Sequence, residues 1–71
     1  MATNPCKGIE GIIQQIVGRL HVGAPDEEAA DYAVSRLKKG AAPKVIRQVR
    51  RCAIKLHRKN QALYNRVMRG R

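Results

Sequence analysis

Apolar residues recur along this chain at helical spacing. Ile9, Ile12, Ile13, Ile16, Val17 and Leu20 advance in steps of three and one, which predicts a helix with one apolar side over residues 5–21. Gly8, Gly11 and Gly18 weaken that helix, so it needs packing to persist. Ala30, Ala33, Val34 and Leu37 form a narrower stripe and predict a second helix over 25–39. A third helix, 43–68, contains no glycine or proline after its first residue and would run about 39 Å at 1.5 Å per residue. No segment alternates apolar and polar residues as a half-buried strand would.

Three prolines punctuate these stretches. Pro5 follows Asn4, a good N-cap; Pro25 precedes Asp26, Glu27 and Glu28; Pro43 follows Gly40-Ala41-Ala42. Each suits the first position of a helix, where the missing N–H costs nothing. The carboxylates after Pro25 suit the positive end of a helix dipole. Gly40 stands where the second helix wants a C-terminal cap. The fold class is therefore all-α: a three-helix arrangement in one small domain, residues 1–71, with a long basic C-terminal helix.

Within that last helix, Ile46, Val49, Ala53, Leu56, Asn60, Leu63 and Val67 alternate at steps of three and four, a heptad seam. The part from Ile46 to Leu56 reads as the face on which the shorter helices pack. Leu56, Asn60, Leu63 and Val67 read as a seam for a homodimer, with Asn60 as the polar residue that fixes register. Two positions, Ile54 and Met68, fall off the seam among the charges.

Charge changes the picture most. Fifteen Lys and Arg against five Asp and Glu give a net charge of +10. Residues 1–35 hold two of the basic and all five of the acidic side chains; residues 36–71 hold thirteen basic ones and no acid. Such a half-chain repels itself unless a polyanion or an acidic surface neutralises it. Lys44, Arg47, Arg51, Lys55 and Arg58, flanked by Arg50 and Lys59, form one stripe opposite the seam. With no carboxylate at i±4 to pair them, these like charges destabilise the free helix. Arginine, which outnumbers lysine eight to five in this half, suits bidentate phosphate contacts. Six phosphate contacts would give a log–log salt slope of roughly −5 on duplex DNA.

The junction of the second and third helices resembles a helix-turn-helix. Gly40, Ala41, Ile46 and Val49 stand where that motif has its turn glycine and following apolar positions. The resemblance covers residues 30–51 and implies that Lys44, Arg47, Gln48 and Arg51 face base edges; Arg and Gln suit the major groove. Arg36 and Lys39 depart from the motif, which has a small and an apolar residue there. The alternative is an ordinary helical hairpin that grips phosphates without reading bases.

Other chemistry is sparse. All five carboxylates precede residue 32, and adjacent Asp26, Glu27 and Glu28 point in different directions, a poor set for two-metal catalysis. Glycine-rich phosphate loops of the usual types are absent. Cys6, His21, Cys52 and His57 lack the short spacings of zinc sites. Two cysteines are few for a secreted mini-protein, so both read as free thiols in a reducing compartment, Cys52 beside the seam and His57 at its edge. Tyr32 and Tyr64 are too few for a base-stacking platform, which turns attention to duplex DNA or structured RNA. Tyr32 reads as closing the core between the first two helices.

The expectation is a non-enzymatic, cofactor-free, nucleic-acid-binding protein, cytoplasmic or packaged in a virion, of the kind that serves a phage or plasmid as an accessory. It would bind through Lys44, Arg47, Gln48, Arg50, Arg51, Lys55, Arg58 and Lys59. The alternative is an adaptor or virion component that docks its basic face on an acidic protein or a packaged genome. A membrane partner is disfavoured: the polar face of the first helix holds only Lys7, Glu10, Gln14, Gln15 and Arg19, short of the basic charge such a helix wants.

Overall fold

A computed structural model describes residues 4–70; Met1–Thr3 and Arg71, one of the thirteen cations of the basic half, lie outside the described residues. The described chain is all-α, with α1 at Glu10–Val17, α2 at Asp26–Ser35 and α3 at Pro43–Arg69. Both short helices pack on α3, and α2 makes the more extensive contact with it. The molecule measures 45 × 28 × 18 Å, and its long dimension follows from α3, about 40 Å at 1.5 Å per residue.

Helix starts follow the prolines more closely than helix ends follow the pattern. Pro43 opens α3 in its first turn, and Pro25 is the residue that caps α2 in extended conformation. Around Pro5 a single turn forms and stops. Asn4 Oδ1 accepts the Cys6 N–H at 3.0 Å, as a cap should, and Lys7 N–H donates to Asn4 O at 3.2 Å. Gly8 then takes φ 82°, a left-handed conformation that interrupts the helix, so α1 begins at Glu10 rather than residue 5. At its other end α1 stops at Val17 and dissolves into turns over 18–20. The second helix ends at Ser35, four residues short of the expected 39. Ser35 Oγ donates to Tyr32 O at 2.6 Å, a local bond of the kind that competes with helix continuation. Gly40, at φ 85°, lies in the 36–42 connection and does not cap α2.

The core joins Ile13 and Val17 of α1, Ala29 and Ala33 of α2, and Val49, Ala53 and Leu56 of α3. Alanines on α2 let the helices approach closely, and Ile9, Ile16, Leu20, Val34 and Leu37 close the edges. Tyr32 is half-buried outside this cluster. Ile12, on the predicted apolar side of the first helix, is 64 % exposed, because that side is wider than the strip α1 presents to its neighbours.

The cysteines overturn the expectation of free thiols. Cys6 and Cys52 form a disulfide with a Cα–Cα distance of 4.9 Å, and both are buried. The Asn4–Lys7 turn lays Cys6 against the middle of α3, within bridging range. A count of two cysteines bears on disulfide-dense scaffolds and says little about a single staple, so it does not assign a reducing compartment. Cross-linking residues 46 positions apart supplies about 4 kcal/mol by loop entropy, an upper figure. A small core gains most from such a staple.

His57 is also placed differently from expectation. At the edge of the seam it is buried rather than open to solvent, and its Nε2 lies 2.7 Å from both Ala24 O and Gln61 Nε2. The ring thereby holds the 21–25 connection against α3.

Candidate functional site

Alternation between core and cation along α3 sets the site. Its apolar positions turn inward, so the opposite side is left to Lys44, Arg47, Arg51, Lys55, Arg58 and Lys59, all exposed, with Gln48 and Arg50 half-buried at the margins. The disulfide brings a second segment to that side. Asn4, Pro5 and Lys7 run beside the first turns of α3, and Lys55 Nζ lies 3.5 Å from Asn4 Oδ1.

Between segment and helix lies an open concavity of about 640 Å³, lined by Asn4, Pro5, Lys7, Lys44, Arg47, Gln48 and Arg51. Four cations from two separate parts of the chain face this groove, and among the described residues no carboxylate lines it. The groove is open and basic rather than an enclosed cavity. All four positions assigned to base reading, Lys44, Arg47, Gln48 and Arg51, line it. Lys7 does too, and the sequence pattern assigns it only to the polar face of the first helix. Pairing Cys6 with Cys52 is the signal that would have found Lys7, since it sets residue 7 beside residue 51.

Two of the expected cations are engaged elsewhere. Arg50 donates to Asp31 at 2.7 Å and Arg58 to Asp26 at 2.7 Å, and these are the ion pairs among the described residues. They clasp α2 to α3 and give Asp26 a role beyond the helix dipole. Both pairs are solvent-accessible, so each contributes at most about 1 kcal/mol. Lys55 and Lys59 continue the basic face past the groove.

No protein-family model, curated protein or solved structure matches this chain.

The seam divides. Leu56 is buried in the core of the same chain, and half-buried Asn60 accepts a hydrogen bond from Gln14 Nε2 at 3.1 Å, a partner within the molecule. Leu63 and Val67 remain exposed. Of the two apolar positions among the charges, Ile54 is half-buried and Met68 exposed. Among the described residues no group of three or more His, Cys, Asp or Glu could hold a metal ion, and no helix is long and apolar enough to cross a membrane.

Proposed function

We propose that this protein is a small accessory protein that binds duplex nucleic acid, DNA or structured RNA, by its phosphate backbone. The groove between the Asn4–Lys7 segment and the first turns of α3 is the gripping site, and Lys55 and Lys59 extend it. The observation that carries the reading is the convergence of Lys7, Lys44, Arg47 and Arg51 on one open groove that no carboxylate lines. Cations held apart from compensating acids keep a strong local field, and release of condensed counterions from the polymer then drives binding.

The reading favours a phosphate grip over base recognition. Residues 36–42 join α2 to α3, a longer connection than the three or four residues of a helix-turn-helix. Gln48 is half-buried in the groove wall rather than projecting freely. The buried disulfide favours a packaged or extracellular setting over the cytosol, where disulfides rarely persist.

The test is fluorescence anisotropy with labelled duplex DNA and hairpin RNA, comparing wild type with Arg47→Glu/Arg51→Glu. The expected result is tight binding at low salt that weakens at least about a hundredfold in the variant, because two phosphate contacts become repulsions. The better-bound probe names the polymer. Binding to neither at low salt contradicts the reading and leaves an acidic protein surface as the partner.

A further inference from the structure

The end of α3 exposes apolar side chains that the phosphate grip does not use. Leu63, Tyr64, Val67 and Met68 are 48 %, 45 %, 57 % and 49 % exposed. Their spacing of i, i+1, i+4 and i+5 sets them in two adjacent rows on one side of the helix. Leu63 and Val67 prolong the core face past Leu56, where the short helices no longer cover it, and Tyr64 and Met68 widen it on one side. At the base of this patch lies a groove of about 260 Å³ whose walls include Leu20, Val22, Asn60 and Tyr64, with His57 at its floor. Exposed Val22 extends the apolar surface across it.

Charge narrows the choice of occupant. Lys59 and Arg66 lie four residues before and three after Leu63, so they flank the patch along one edge. The sequence holds no carboxylate after Asp31. Nucleic acid would pair these cations and leave four apolar side chains against phosphate. A second copy of this helix would bring like charges face to face. A flat lipid leaflet would leave the groove beside Tyr64 unfilled. An amphipathic helix with acidic flanks meets all three demands: it covers the apolar rows, pairs Lys59 and Arg66, and seats one large side chain in the groove.

We propose that the exposed end of α3, Leu63 to Met68 with the groove beside Tyr64, is a docking surface for an acidic amphipathic helix of a partner protein. Apart from Lys59, which also extends the basic face, the surface shares no side chain with the phosphate grip, so the groove near the other end of α3 can hold a polymer while this end holds a protein. That arrangement suits a factor that couples a nucleic acid to an acidic protein.

Methyl NMR of the intact chain tests the proposal, with a synthetic helical peptide as probe. The peptide carries leucine at its a and d positions and glutamate at e and g; a control replaces each glutamate with lysine. The glutamate peptide should shift the methyl signals of Val22, Leu63, Val67 and Met68, and the lysine peptide should not. Leu63→Ser/Val67→Ser should weaken binding at least about tenfold, as for a truncated anchor. Arg66→Glu should weaken the glutamate peptide and admit the lysine one, while Arg47→Glu/Arg51→Glu should leave peptide affinity unchanged. Failure of the glutamate peptide to move these methyls, or equal binding of both peptides, would overturn the proposal. So would movement of the same signals by phosphatidylserine vesicles or by raising the protein concentration while the glutamate peptide leaves them unmoved; those outcomes would assign the surface to a membrane or to a second copy.

Discussion

Helix α3 carries one sequence pattern from end to end, an apolar row opposed by cations, and its two halves put that pattern to different ends. From Ile46 to Leu56 the apolar row is covered by α1 and α2, and the cations opposite it face a groove walled by the disulfide-tethered Asn4–Lys7 segment. From Leu63 to Met68 the row lies open. Periodicity alone does not distinguish core from docking surface. What distinguishes them is how far the short helices reach: α1, whose Gln14 meets Asn60, stops at Val17, and α2 starts at Asp26, which meets Arg58.

Truncation along the row should expose the contrast most strongly. Leu56→Ala should cost about 2–5 kcal/mol in chemical denaturation, because it leaves a cavity in a small core. Leu63→Ala should stay within about 0.5 kcal/mol, as for an exposed position. Equal costs would mean that the far end of α3 is packed in solution. Removing the staple should come next: Cys6→Ser/Cys52→Ser should lower unfolding free energy by about 2–4 kcal/mol and weaken anion binding as Lys7 leaves the groove. A variant that loses stability but keeps full affinity would remove the Asn4–Lys7 segment from the site. Effects smaller than that of the staple should come from the clasp. Arg50→Ala and Arg58→Ala should each cost at most about 1 kcal/mol of stability, screened by salt, since both pairs are solvent-accessible. A larger loss would mark the clasp as a determinant of the α2–α3 packing.

Much of this fold is legible in the sequence because it depends on local rules. Pro25 and Pro43 mark two helix starts, and the steps of three and four place Val49, Ala53 and Leu56 in the core. Early helix ends are harder to read, since a Ser35 hydroxyl bond and the left-handed Gly8 compete with a pattern that would otherwise continue. The site is legible on one side only. Lys44, Arg47 and Arg51 stand out as a stripe, but Lys7 joins them through a contact 46 residues away in sequence. Arg50 and Arg58 belong to the same stripe by spacing. Only the placement of α2 reveals that Asp31 and Asp26 hold them.

The stripe divides into free and engaged cations, and the salt dependence of nucleic-acid affinity separates the two sets. For a duplex DNA probe, Lys7, Lys44, Arg47, Arg51, Lys55 and Lys59 should together give a log–log slope of roughly −5. Arg47→Ala/Arg51→Ala should reduce that slope by roughly 2, and Arg50→Ala/Arg58→Ala should leave it close to the wild-type value. A flat slope in wild type, or equal reductions in the two variants, would show that the two sets of cations do not differ in binding.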